Sequence, residues 1–176
     1  MLGILLFIMS RYTIANILGH QKTNNEFYTP KQTVIDLIEK IKLPKNKIIW
    51  CPFDKSNSEF VIEFKKHNYK VIYSHIDNDQ DFYNYEPDEH WDIIISNPPF
   101  TAKRLLIERC ESFKKDFCLL YGCTIFSQSM GNTLNRCDYW FIQNNIKFTT
   151  NEQTFKSFQC CWVTNKNSKL LKEFRR

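Results

Sequence analysis

The residues with the clearest chemical promise are Asn97-Pro98-Pro99-Phe100, which follow an apolar run, Trp91-Asp92-Ile93-Ile94-Ile95, and one serine. Two consecutive prolines donate nothing to a sheet ladder and each fixes φ, so a strand ending here must leave in a stiff, extended turn. That turn presents two acceptors: the Asn97 side-chain carbonyl and the Pro98 backbone carbonyl, which no helix or ladder is obliged to use. Two converging acceptors suit a planar amino group that must be held, and made more nucleophilic, for attack on an electrophilic methyl. Phe100 adds a flat apolar face on which an extruded nucleobase can stack, a contact worth about 1–3 kcal/mol. The bland alternative is a strand-ending turn in which Asn97 caps the next helix. Placement at the tip of an apolar strand favours the chemical reading.

Elements on either side must hold this loop in place. Thr29-Pro30-Lys31-Gln32 carries a helix start: Thr29 can cap, Pro30 sits where no amide proton is lost, and Gln32 can reach back to complete a capping box. Val34, Ile35, Leu37, Ile38 and Ile41 then repeat at helical spacing. Lys47-Ile48-Ile49-Trp50 reads as a short buried strand, Ser56-Asn57-Ser58-Glu59 opens a second helix, and residues 69–74 form the next strand. The Trp91 run is a third strand, continuous and apolar like a central parallel one. Strand, helix, strand in this order makes a right-handed βαβ unit. A helix over residues 101–113, a strand over 117–121 and a loop over 122–135 follow, and β-like runs over 138–143 and 158–164 close the sheet as an antiparallel hairpin. The expected fold is a single α/β domain over 1–176 with a mostly parallel, doubly wound sheet, a class that binds ligands beyond the carboxyl ends of its strands.

Composition narrows the function classes. With 176 residues, 43% hydrophobic, and 15 Phe, 8 Tyr and 4 Trp against only 4 Gly and 6 Pro, the chain is neither disordered nor fibrous. The net charge of +5 is uneven: residues 1–100 hold 11 basic and 13 acidic side chains, residues 101–176 hold 13 and 6. The second half is therefore the polyanion-facing one, with Lys103, Arg104 and Arg109 just after the Asn97 loop and Lys172, Arg175 and Arg176 at the tail. Seven cysteines form no CxxC pair and no zinc-type spacing, so they read as reduced, buried thiols of a cytoplasmic protein. The apolar stretch Leu2–Met9 is shorter than the roughly 20 residues of a membrane span. The acidic run Asp79, Asp81, Glu86, Asp88 and Glu89 lacks calcium-loop spacing, no metal is expected, and no histidine pairs with a nucleophile as a hydrolase triad requires.

Over residues 26–121 the sequence resembles the amino-methyltransferases that use S-adenosylmethionine, in particular the small adenine-N6 DNA methyltransferases of phages and prophages. Asn97-Pro98-Pro99-Phe100 is similar to that family's catalytic D/N/S-P-P-F/Y/W motif, and Phe27-Tyr28-Thr29-Pro30 to the motif beside the methionine end of the cofactor. The resemblance implies a Rossmann-like methyltransferase fold, S-adenosylmethionine as cofactor and a nucleic acid, DNA, as partner. It implies that Cys51-Pro52-Phe53-Asp54 forms the turn under the cofactor, with the Asp54 carboxylate toward the methionine amine, although the family's usual glycines are missing here. It places the acceptor for the ribose hydroxyls at His75 or Asp77, where a carboxylate is chemically the better candidate. Asp81-Phe82 resembles the acidic-plus-aromatic element that holds the cofactor's adenine.

Related loops serve enzymes that methylate exocyclic amines of ribosomal RNA and the glutamine amide of proteins, so an RNA amine is the second substrate class. A catalytically silent protein that keeps the fold and binds nucleic acid or cofactor is a third reading, and the missing glycines are its support. Residues after the fifth strand are needed to finish the sheet, which leaves target choice low, short, or supplied by a partner protein or a dimer.

Overall fold

A computed structural model describes residues 27–41, 43–150, 154–168 and 170; Leu2–Met9, His20, Lys42 and the basic tail lie outside them. Chain order is β1 (Phe27–Tyr28), α1 (Lys31–Ile41), β2 (Ile48–Cys51), α2 (Glu59–Lys66), β3 (Lys70–Tyr73), β4 (Ile93–Ser96), α3 (Lys103–Ser112), β5 (Asp116–Gly122), α4 (Gly131–Leu134), β6 (Cys137–Phe141), β7 (Ile146–Thr150), β8 (Phe155–Phe158) and β9 (Cys160–Asn165). Single 3-10 turns occupy Ile76–Asn78, Cys123–Ile125 and Gln128–Met130.

The helices form largely for the reasons that the sequence suggests, with two changes: Gln32 makes no capping box, and the cap of α2 is Ser58 rather than Ser56 at the head of the box over 56–59. In α1, Val34, Leu37, Ile38 and Ile41 are buried along one face, and the Thr33 amide bonds the Pro30 carbonyl to close the first turn. Gln32 does not complete a capping box: its Nε2 donates forward to Asp36 Oδ1 at 2.8 Å, the i to i+4 neighbour on the same helix face. Helix α2 is capped by Ser58, whose side chain accepts from the Phe60 amide, and buries Phe60, Val61 and Phe64.

Six strands make the main sheet in the order β3-β2-β4-β5-β9-β6. The first four run parallel, whereas β9 is antiparallel to both β5 and β6. This is the open, doubly wound, Rossmann-like α/β architecture expected. Strand alternation divides the core in two. Ile49, Ile93, Ile95, Cys118, Leu120 and Trp162 face α1 and α2, while Trp50, Ile94, Leu119, Tyr121 and Val163 face α3 and α4. A strand slipped by one residue would exchange these two sets, so burial on both faces pins the register.

Three differences from the sequence-based expectation stand out. Strands β6 and β9 pair antiparallel, but they are not consecutive: β7 and β8 are inserted between them and join β1 in a separate three-stranded sheet, β1-β7-β8. The segment expected as a loop over 122–135 holds α4 and two 3-10 turns. Trp91 precedes β4 rather than belonging to it, and its buried indole packs 5.0 Å from Trp50 and 5.2 Å from Phe113, centroid to centroid. All seven cysteines are free thiols, six of them buried and Cys123 half-buried. Among the described residues no helix is long and apolar enough to cross a membrane.

Candidate active site

Because β2, β3, β4 and β5 are parallel, their carboxyl ends at Cys51, Tyr73, Ser96 and Gly122 meet at one sheet edge. The Asn97 loop leaves this edge from β4. Its amide is oriented by a partner far away in sequence: Asn97 Nδ2 donates to the Phe27 carbonyl at 3.3 Å. A carbonyl can only accept, so this contact fixes which end of the amide is nitrogen and turns Oδ1 the other way. Among the described residues, Oδ1 is buried with no hydrogen-bond partner. Among the described residues three other buried side-chain atoms share that condition, Tyr83 Oη, Trp91 Nε1 and Tyr121 Oη. Each of those three carries a hydrogen to donate, so Asn97 Oδ1 is the only pure acceptor of the group. Leaving such an atom unpaired costs about 1–3 kcal/mol, and buried polar groups left that way recur where a ligand completes the bond.

The rest of the loop is stiffened by aromatic packing. Pro98 is buried and Pro99 exposed. Phe100 is half-buried, its ring 5.8 Å from Phe27 and 6.1 Å from Phe158. Phe27 in turn lies 6.1 Å from Phe148 and 5.4 Å from Phe158. The small sheet is thus the wall against which the loop rests. Ala102, two residues on, takes the left-handed backbone region at φ 49, which costs a residue with a Cβ about 1–2 kcal/mol. This strained step lets α3 begin directly behind the loop.

The turn after β2 is built in the opposite manner, with its polar groups paired. Asp54 is buried, and its two carboxylate oxygens accept from the Ser58 and Ser96 hydroxyls. Its amide donates to the Ser74 carbonyl at 3.2 Å, and the Ser74 amide donates to the Cys51 carbonyl at 3.1 Å. The Trp50 indole N–H donates to the buried Ser74 hydroxyl at 3.0 Å. Asp54 therefore ties the β2 turn, the cap of α2 and the last residue of β4 into one unit. Burial pushes its carboxyl up to about 6, against the pull of the two serine hydroxyls. These hydrogen bonds replace the glycines as the means of shaping the turn, and they direct the carboxylate inward.

The remaining candidates are distributed along the same edge. Tyr28 is exposed on β1 and Thr29 is buried beside Pro30. Cys51 and Pro52 are buried and Phe53 is half-buried, with its ring 4.9 Å from Phe82. His75 accepts from the Asp77 amide through Nδ1 at 3.1 Å, which opens the 3-10 turn, while the exposed Asp77 carboxylate lies 2.7 Å from Lys55 Nζ. Asp81 organises its own turn, accepting from the Tyr83 amide at 3.2 Å and from Asn84 Nδ2 at 3.0 Å. Phe82 is buried against Trp50 and Phe53. Lys103 Nζ bonds the Thr124 carbonyl and hydroxyl at 3.2 and 3.3 Å. Arg104 is exposed beside Glu108, whereas Arg109 Nε reaches the Phe82 carbonyl at 3.4 Å and its guanidinium stacks 4.2 Å over Phe113. Sequence reasoning missed Ser58, Ser74 and Ser96 as the partners that build the edge. Serines carry no local signal for contacts made across the sheet.

No protein-family profile and no curated protein matches the sequence. Among solved structures the chain is similar to a proposed RNA methyltransferase from Pyrococcus horikoshii, with 13% identity, 80% of this chain and 87% of that chain covered, and a TM-score of 0.49. It is similar to a precorrin-6Y C5,15-methyltransferase from Geobacter metallireducens GS-15, with 13% identity, 81% and 95% covered, and a TM-score of 0.45. The modification subunit of a proposed type I restriction enzyme from Vibrio vulnificus YJ016 gives 11% identity, 89% of this chain and 48% of that subunit covered, and a TM-score of 0.47.

Proposed function

We propose that this chain transfers a methyl group from S-adenosylmethionine to the exocyclic amine of a nucleobase, adenine N6 in DNA being the substrate that the motif resemblance favours. The observation that carries the reading is Asn97 Oδ1, a buried, unpartnered acceptor at the ligand edge of a doubly wound sheet. An amine that enters here restores the missing hydrogen bond, and the Pro98 carbonyl one residue on is the second acceptor. Accepting both N–H groups draws electron density toward the nitrogen and holds its lone pair in one direction. Phe100, braced by Phe27 and Phe158, offers the ring for the base. Catalysis of this type is mostly positioning and exclusion of water, with no covalent enzyme intermediate.

The edge beside the loop also fits the cofactor. Phe53 presents a half-buried ring and Asp77 a surface carboxylate of the kind that accepts hydroxyl hydrogens, at the ends of neighbouring strands. Asp54 serves this pocket as its inner brace rather than as a ligand to the methionine amine, since its oxygens are held by Ser58 and Ser96. When bound, S-adenosylmethionine would supply the electrophilic methyl, its sulfonium becoming a neutral thioether. The proton released by the amine passes to water at the open edge.

The test is Asn97→Ala. Methyl incorporation from labelled cofactor should fall by about 10²- to 10³-fold, the scale for deleting one preorganised hydrogen-bonding group, while cofactor affinity by calorimetry stays within about two-fold. Loss of cofactor binding in this variant would contradict the assignment. Duplex DNA, single-stranded DNA and RNA are compared as acceptors, and label appearing only in RNA would move the substrate to the second class.

A further inference from the structure

The same sheet edge carries a feature that methyl transfer at Asn97 does not use. Phe126, Tyr139 and Phe141 form a mutual cluster, with centroids 4.9, 5.2 and 6.0 Å apart, yet they remain 37%, 46% and 57% exposed. Tyr139 and Phe141 alternate on one face of β6, the edge strand, and Phe126 follows the 3-10 turn at the end of β5. Register relates the cluster to the site: Ser96 lies opposite Leu119, Leu119 opposite Val163, and Val163 opposite Tyr139. Tyr139 thus stands in the same cross-strand row as the last residue of β4, three strands away. At strand spacing that is about 14 Å, or about four stacked bases at 3.4 Å each.

Lys103 links the segment after the Asn97 loop to the segment before Phe126. It follows the Asn97 loop, and its ammonium is held by the Thr124 carbonyl and hydroxyl, two residues before Phe126. Both partners are neutral, so among the described residues no carboxylate compensates its charge. Beyond residue 100 the described residues carry nine basic and four acidic side chains. Exposed rings beside a cation with neutral partners match a polyanion that also offers π faces better than they match an apolar peptide or a second copy of this chain.

We propose that Phe126, Tyr139 and Phe141 form a stacking shelf for unpaired nucleobases flanking the target, with Lys103 taking a phosphate of the strand between shelf and Asn97. This rests on the methyl-transfer reading for the location of the target, but shelf and chemistry fail separately. Full-length protein is titrated with fluorescein-labelled single strands of 3 and 12 nucleotides, each with one adenine, as DNA and as RNA, and cofactor affinity is measured in parallel. Wild type should bind the 12-mer more tightly than the 3-mer. The double variant Tyr139→Ala/Phe141→Ala should lose about 10-fold or more for the 12-mer, with the 3-mer and cofactor affinities unchanged. Phe126→Trp should report the contact directly through quenching of its fluorescence by the 12-mer.

Several outcomes decide the matter. Twelve-mer affinity within two-fold of wild type in the double variant overturns the shelf, as does a wild type that binds no single strand. A dimer that sediments as a monomer in the double variant, with strand affinity intact, assigns the rings to a second copy instead. Weakened strand binding without methyl transfer to any acceptor supports the shelf and removes the proposed chemistry, whereas transfer that is lost only in Asn97→Ala, with normal 12-mer binding in the shelf variant, does the reverse.

Discussion

Two turns leave the same sheet edge and solve opposite problems. After β2, the carboxylate of Asp54 is saturated by two serine hydroxyls and its amide by the Ser74 carbonyl. After β4, the Asn97 side chain spends its donor on the Phe27 carbonyl and keeps its acceptor unused. The first arrangement holds strands together, and the second keeps a cost of about 1–3 kcal/mol in the folded state that a ligand can recover. Two neighbouring turns of one sheet edge thus differ in whether a buried acceptor is used within the fold or left over.

The contrast predicts a separation of effects. Asn97→Ala should produce the largest change, the fall in turnover of about 10²- to 10³-fold given above, but it should not destabilise the fold by more than about 1 kcal/mol, since the one long hydrogen bond it removes is offset by removal of the unpaired buried acceptor. Urea denaturation of that variant checks the second half, and a strongly destabilised protein would show that the loop is scaffold as well.

Asp54 should behave in the reverse sense and with a distinctive pH dependence. Its folded value of about 6 lies above the ordinary 3.8, so its contribution to stability is fully present below about pH 4 and is lost as pH rises through 6. The shift of about two units corresponds to about 3 kcal/mol. Asp54→Asn cannot ionise, so the stability advantage of wild type over this variant should shrink by about that amount between pH 4 and 7. A constant difference across that window would mean that Asp54 is not buried as a carboxyl. Asp54→Ala should cost about 2 kcal/mol at neutral pH, as two hydroxyls lose their acceptor and part of that loss is offset by removing a buried charge. Ser58→Ala should cost about 1 kcal/mol through the lost cap of α2, and circular dichroism with urea would check it. Methyl transfer in Ser58→Ala should stay near wild type at temperatures where the fold is intact.

Much of the frame was legible because it is local. Ile48–Trp50, Val71–Tyr73 and Ile93–Ile95 announce buried strands by composition, Val34 through Ile41 announce a helix by spacing, and the two prolines after Asn97 announce a strand end. What was illegible is nonlocal. A two-residue strand such as β1 has no periodicity to detect, and its partners come from the far end of the chain. Ile146, Phe148 and Thr150 alternate buried with less buried positions, a period-2 signal that could have revealed β7 but not the sheet it joins. Asp54 could be marked as a polar residue in the right turn, but its inward direction depends on Ser96, 42 positions away. That Asn97 brings a polar side chain to a strand end was legible, and the donor contact that orients it was not.

That donor contact has a temporal consequence. The Phe27 carbonyl is positioned by a strand in which Phe27 pairs with Thr150 and Tyr28 with Thr149, so early and late segments must meet before the Asn97 amide has a fixed direction. A nascent chain that has already assembled β2 through β5 owns the parallel strands of the main sheet and the Asn97 loop but no orientation for its acceptor. Such long closures are slow relative to neighbouring contacts, so the direction of the Asn97 amide waits on a pairing between early and late segments that the local elements do not need.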